Sequence, residues 1–186
     1  VPINPRNNIF GFWAHFLTTA ADQQRRQRVE NGRYLDASGY LLAVNRELVS
    51  PMPKNILVDD AWLSRHVWNQ GYKIGYAPKA KVKVKFPTNF PDWMTQKKRT
   101  ISGYVQLKSV GAIHESPVVV NPMRGFWQES RGLLLALTYP RNFKEYFWMI
   151  LLIFARLYVW SAVFWTRRVL RTPYSGNWKR IESTKN

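Results

Sequence analysis

Cysteine is absent from the 186 residues, which removes disulfides, thiolate metal sites and cysteine nucleophiles from consideration. Acid is scarce: 11 Asp and Glu stand against 28 Lys and Arg, a formal net charge of +17. Histidine occurs three times. His66 has no His or Cys at ligand spacing and reads as structural, and His114-Glu115 lacks the second histidine of a zinc-protease helix. No serine, histidine and acid set forms a triad. No charged start followed by an apolar run marks a secretory signal. The first residue is Val1 rather than Met, which leads to the expectation of a processed chain or a piece of a longer one.

What is present is an excess of positive charge in a chain that is 15% aromatic. A disordered basic tail would be poor in aromatics, so the expectation is a folded, basic protein. Such a field favours polyanions: nucleic acid, anionic lipid head groups or diphosphates.

Apolar residues Ile9, Phe10, Trp13, Phe16, Leu17, Ala20 and Ala21 recur at helical spacing, with Asn7 or Asn8 to cap the start and Asn31-Gly32 to stop the helix at Glu30. Tyr40 to Val44 reads as a short strand covered on both faces. Pro51 and Pro53 make Val49 to Asn55 a loop. Asp59-Asp60 opens a helix that Gly71 ends. Ile74 to Ala77 is a second short strand. Ala80 to Phe86 alternates strictly, with Val82, Val84 and Phe86 on one face and a solvated row of Lys81, Lys83 and Lys85 on the other, as in a half-buried strand. A helix follows from Asp92 to about Leu107. Residues 111–122 read as loop, with Val118 to Val120 a possible strand, and Gly125 to Thr138 as an amphipathic helix. Strand, helix, strand, strand, helix in this order predicts an α/β layered fold.

Four features carry a resemblance. Ser38-Gly39-Tyr40-Leu41 is a small-residue entry to an expected buried strand. Asp59-Asp60-Ala61-Trp62-Leu63 is an acidic helix start with a leucine three residues on. Gly71 to Pro78 is an expected strand pair after a glycine. Gln96-Lys97-Lys98-Arg99-Thr100, with Gly103 beyond, is a glutamine-arginine helix. In this order they resemble the C-terminal half of the family 2 glycosyltransferases over roughly Tyr34 to Lys108. The resemblance implies a GT-A (Rossmann-like) mixed sheet with flanking helices, followed by amphipathic and hydrophobic C-terminal helices. It divides the chain into an acceptor-side half at 1–110, a loop and interface helix at 111–140, and a hydrophobic helix with basic tail at 141–186. Two departures stand out. Asp59-Asp60 replaces the family's usual Glu-Asp, keeping the second acid. Thr100 replaces a Trp that processive members pack on the acceptor sugar, which weakens any case for a polymerase.

The family's fold also implies a donor half with an Asp-x-Asp motif holding the nucleotide and a divalent cation, Mg or Mn. Neither that motif nor a glycine-rich phosphate loop occurs here. The expectation is that the metal ligands lie outside this chain and that the isolated fragment is inactive.

Asp60 is the candidate general base, since inverting transfer needs a carboxylate to take the acceptor hydroxyl proton. The plain alternative is that Asp59 and Asp60 cap a helix. Gln96 and Arg99, three apart, share a helix face. The resemblance assigns Arg99 to the departing diphosphate, whose oxygens a guanidinium can fork, and Gln96 to a polar contact. Asp59, Ser38, Gly39 and Thr100 complete the expected substrate-binding set. An exposed basic helix is the alternative for Gln96 and Arg99, because Lys97 and Lys98 adjoin.

Tyr146 to Trp165 is apolar nearly all round. About 20 such residues cross a hydrocarbon core of about 30 Å, but Arg156 sits near its middle and both flanks are basic. Glu145, Arg156 and Arg167, eleven apart, share one side. This pattern favours membrane association, in the interface or docked on another element, over spanning as such, with the catalytic part on the cytoplasmic side. A buried helix of a soluble domain is the alternative. The partners implied are a nucleotide-sugar donor, a lipid-linked or glycan acceptor, and membrane lipids. Nucleic acid is not expected, for want of a binding motif. A basic nucleic-acid- or anionic-lipid-binding module without catalysis is the competing function.

Overall fold

The computed structural model describes residues 1–54, 56–109, 133–166 and 181–184. The regular secondary structure of the described residues is helical. Helix α1 spans Ile9–Glu30, α2 Asp59–Asn69, α3 Phe90–Ser109, α4 Leu133–Thr138 and α5 Phe143–Phe164, with 3-10 turns at Arg46–Leu48 and Glu182–Thr184. The Asn8 side chain accepts from Gly11 N at the start of α1, and Asn142 accepts from Glu145 N at the start of α5. Both asparagines satisfy a first-turn donor that the helix itself cannot. At the other ends Gly32 (φ 60°) and Gly71 (φ 87°) adopt the left-handed backbone that halts a helix.

The expected mixed sheet is not there. Among the described residues no strand forms, and the one β-bridge is an isolated parallel pair, Pro2 with Val84. Tyr40 to Val44, read as a strand covered on both faces, is uncovered, Leu41 being 62% exposed. Ile74 to Ala77 forms no ladder. Along Lys81 to Phe86 the in-out alternation survives at Lys81 to Val84, with Lys81 and Lys83 exposed and Val82 and Val84 half-buried. The N-terminal residues supply its few backbone bonds: Ile3 N to Val84 O at 3.0 Å and Val84 N to Val1 O at 2.9 Å. Asn4 extends the pairing with its side chain, donating to Phe86 O at 3.0 Å and accepting from Phe86 N at 2.7 Å. Apolar runs and alternation report how a segment would sit in a sheet, but a strand exists only if a neighbour supplies N–H and C=O partners. Among the described residues only Lys81 to Phe86 finds such a neighbour, and only as the single bridge to the N-terminal residues, so the GT-A sheet reading is overturned. The expected strand at Val118 to Val120, the loop at 111–122 and most of the helix from Gly125 lie outside the described residues, as do His114-Glu115 and Arg167.

The main core joins α1, α3, α4 and α5. Phe12, Trp13 and Phe16 of α1 meet Trp93, Met94 and Ile101 of α3 and Met149, Leu152, Ala155, Val159 and Val163 of α5. Trp13 lies 5.0 Å from the Trp93 ring and donates its indole N–H to Trp148 O at 2.8 Å, so the polar edge of a buried aromatic is satisfied. Beneath α5, Arg6 forks onto Glu145 (Nε–Oε1 2.9 Å, Nη2–Oε2 2.8 Å) and stacks 4.5 Å over the Tyr139 ring. A second, smaller cluster holds α2 to α3: Ala61, Tyr104 and Leu107, with Ile56, Val58 and Trp62 packed on it. Helix α3 therefore has two working faces, one in each cluster.

Candidate functional site

The acidic start of α2 is placed by α3. Leu57 and Val58, which lead into it, lie across Gly103: a Cβ there would come within 2.6 Å of Val58 Cγ1 and 3.2 Å of Leu57 Cβ. Three residues on, Gln106 accepts from Leu57 N at 2.9 Å, a buried bond. The absence of a side chain at 103 and the amide at 106 thus bring the turn before α2 flush against α3.

Helix α2 begins without a side-chain cap on Val58. Instead Asp59 Oδ1 accepts from Asp60 N at 3.0 Å and Asp60 Oδ1 from Ala61 N at 2.8 Å. The capping alternative is therefore met in part, by side chains inside the first turn rather than by a residue before it. Asp60 has a second engagement: its Oδ2 accepts from Gly39 N at 2.9 Å. Ser64, buried one turn on, donates to Asp60 O at 2.6 Å and accepts from Ala37 N at 2.9 Å. Residues 37–39 are thereby laced to the first turn of α2 at two points.

Arg99 projects from α3 into the same region. It is exposed on the cavity side, yet its pKa lies below the ordinary value, since surrounding protein withholds water from the guanidinium; Asp59, Tyr40 and Asp60 oppose that shift by their charge. Ser38, Gly39, Asp59, Asp60, Gln96, Arg99 and Thr100 all border one broad depression of about 2890 Å³, which also takes in residues as far apart as Val1, Lys83 and Thr184, so sharing it does not by itself bring two side chains together. Gln96 has a buried Oε1 without a hydrogen-bond partner among the described residues. The Thr100 hydroxyl turns back to Gln96 O at 3.0 Å, so it serves the helix backbone.

Sequence reasoning missed what lies behind this surface. Asp36, Tyr34 and Arg65 form a buried polar set: the Tyr34 hydroxyl donates to Asp36 Oδ1, Arg65 Nη2 lies 4.0 Å from the same oxygen, and Arg65 is only 2% exposed. Burial, chiefly, pushes the Tyr34 phenol well above its usual pKa, and the Asp36 charge adds to this. The spacing of Ala61, Ser64 and Arg65 marks them as one face of α2, a signal that was available. His66 stacks on Trp62 at 5.1 Å, in keeping with a structural role.

The described residues do not fit a resident divalent cation. They contain no group of three His, Cys, Asp or Glu able to hold one, and Asp59 spends one oxygen and Asp60 both on backbone N–H groups.

Comparison with known proteins gives one family: the model described as "Glycosyl transferase family group 2" matches residues 1–166. No curated protein and no solved structure matches the chain.

Proposed function

Since the chain belongs to glycosyl transferase family group 2, we propose that it carries the acceptor side of an inverting sugar transfer from a nucleotide-sugar donor, with Asp60 as the general base. The acceptor hydroxyl attacks the anomeric carbon while the bond from that carbon to the diphosphate oxygen breaks. The hydroxyl proton passes to Asp60, and the electron pair of the broken bond leaves with the nucleoside diphosphate. Arg99 meets the charge that develops on the departing diphosphate, where a guanidinium donates two parallel N–H bonds. Asp59, Ser38, Gly39 and Gln96 border the sugar. Thr100 contributes surface but no free hydroxyl. No step is routed through a metal, since the described carboxylates do not form a site for one.

One observation supports this reading: Gly39 N–H holds Asp60 Oδ2 at 2.9 Å, while Gln106 and Gly103 of α3, the helix that bears Gln96 and Arg99, seat the turn that opens α2. Residues 1–110 then form the acceptor-side part, 111–140 the connection, and 141–186 the membrane-associated part. Helix α5 is long and apolar enough to cross a membrane, with a mean hydropathy of 1.9. It buries one side against α1 and α3 while Phe143, Phe147, Ile150 and Phe154 remain exposed. That arrangement suits a helix docked on the protein with its outer side in lipid at the cytoplasmic face.

The test is Asp60→Asn in the membrane-bound enzyme produced from the natural reading frame. Transfer from a labelled nucleotide sugar should fall by at least about 10²-fold, the general-base contribution, with donor binding retained. Turnover near that of the unmodified enzyme would remove Asp60 from the role.

A further inference from the structure

We propose that Arg65 is a positioning residue for the transfer: paired with Asp36 inside the protein, it fixes the register in which residues 34–39 lie along α2, and so which backbone N–H holds Asp60. This rests on the transferase reading above and adds to it a residue that lies behind the site.

Residues 34–39 follow α2 in the opposite direction, and their contacts fall in order. The Tyr34 ring meets Trp68 edge-on at 5.6 Å. The Asp36 carboxylate lies 4.0 Å from Arg65 Nη2. Ala37 N donates to Ser64 Oγ at 2.9 Å, and Gly39 N to Asp60 Oδ2 at 2.9 Å. Asp60, Ser64 and Trp68 are spaced four apart, so they form one stripe of the helix, with Arg65 beside it. The far end of the segment is tied to α1, where Arg28 Nη1 donates to Tyr34 O at 2.8 Å.

The bonds to Ser64 and Asp60 use backbone N–H groups, which every residue from 34 to 39 offers. They hold the segment close to the helix but would accept a slip along it. The charged pair would not. Asp36 is the one acid from Asn31 to Arg46, and Arg65 is buried. Among the described residues, Arg65 Nε and Nη1 have no hydrogen-bond partner. The guanidinium is committed to Asp36 and to the Tyr34 ring, whose centre lies 5.3 Å from Cζ. A slip of one residue would carry the carboxylate roughly 3 Å along the helix and leave two opposite charges buried apart, which is strongly disfavoured. It would also offer Asp60 the N–H of Ser38 or Tyr40 in place of Gly39. Burial of Leu35 settles which side of the segment faces inward; the pair settles where along α2 it stops. Net stability is a poor reason for such a pair, since desolvation offsets its attraction. Register is what it supplies.

The experiment compares Arg65→Gln, Arg65→Lys and the double variant Asp36→Asn/Arg65→Gln in the membrane-bound enzyme. Each is followed by thermal melt, by hydrogen–deuterium exchange over residues 34–40, and by transfer from the labelled nucleotide sugar used for Asp60→Asn. Arg65→Gln leaves the carboxylate uncompensated and should melt lower, whereas the double variant removes both charges and should melt near the parent. In both, protection of the Ala37 and Gly39 amides should fall about tenfold, and kcat should fall about tenfold with KM unchanged. Arg65→Lys keeps the charge and should return most of the kcat. A role in stability alone predicts otherwise for the double variant, with kcat recovered along with the melt. That result overturns the proposal, as does parental protection at Ala37 and Gly39. If Arg65→Gln does not fold, the double variant carries the test. Parental turnover in Asp60→Asn would remove the base assignment but leave the exchange result standing, so failure of the base shows in transfer alone and failure of the register shows in exchange.

Discussion

The N–H of Gly39 donates to Oδ2 of Asp60 across 2.9 Å, so a carboxylate at the start of a helix is held by backbone 21 residues before it. A Cβ on Gly39 would stand 3.3 Å from that same oxygen. Gly39→Ala keeps the donor but crowds the acceptor by a few tenths of an ångström. The expected outcome is a kcat reduced about tenfold, as misplacement of a reacting group produces, with a melting temperature close to the parent's. Steady-state kinetics beside a thermal melt decide it, and an unchanged kcat would mean the bond is irrelevant to transfer.

Gly103→Ala tests the seat of the acidic turn. The added methyl would overlap Val58 Cγ1 at 2.6 Å. Such overpacking costs about 1–3 kcal/mol, and it should move the start of α2 away from Arg99. Activity should drop with stability. Adding Val58→Ala makes room for the methyl and should recover both, whereas a double variant no better than the single would show that the clash lies elsewhere.

Arg6→Ala leaves Glu145 buried without its fork. The pair is largely enclosed, at 23% and 9% side-chain exposure. Breaking one partner of such a bridge is expensive because the other charge is left without compensation. A loss of about 2 kcal/mol is expected in chemical denaturation. Glu145→Gln in the same chain should give part of it back, since no charge then remains to be satisfied.

Asp22 and Tyr76 set a pH window for the contact between α1 and the segment after Gly71. Burial would raise the Asp22 carboxyl, but hydrogen bonds from Arg26 and Tyr76 outweigh it and the net pKa is lowered. That contribution is present above the unfolded carboxyl value and is lost as pH falls through the folded one. Tyr76 is raised, by burial first and by its bond to Asp22 next. Its contribution is present below the unfolded phenol value and disappears as pH rises through the folded one. Tyr76→Phe should therefore flatten the pH dependence of stability at both ends, measured by urea denaturation from pH 3 to 11. A profile identical to the parent's would exclude the coupling.

The helices were legible because their signals are local. Asn8, Asn31 and Gly32 bracket α1 within a few residues of where it starts and stops, and Asp59 and Gly71 do the same for α2. Tyr40 to Val44 misled for the opposite reason: five apolar residues say nothing about whether another backbone lies alongside. The acidic turn and the glutamine-arginine helix stood out through their resemblance to a family's motifs, since spacing alone left helix capping and an exposed basic helix as equal or better readings. What holds the acidic turn against α3 was not legible. That depends on Gln106 bonding to Leu57 and on Gly103 admitting Val58, contacts that span some 50 residues. Arg65 shows an intermediate case. Its place on the buried face follows from its spacing with Ala61 and Ser64, but its partner Asp36 could be found only in three dimensions.

Trp13, Trp93 and Val159 share one core, with the Trp13 indole bonded to the backbone of α5. The apolar helix α5 and the helix that bears Arg99 are thus packed in one core. On the reading given above, the altitude of the reacting oxygen over the bilayer is fixed when the chain folds. On that reading, the reach of the site above the membrane follows from the packing of α5 against α1 and α3.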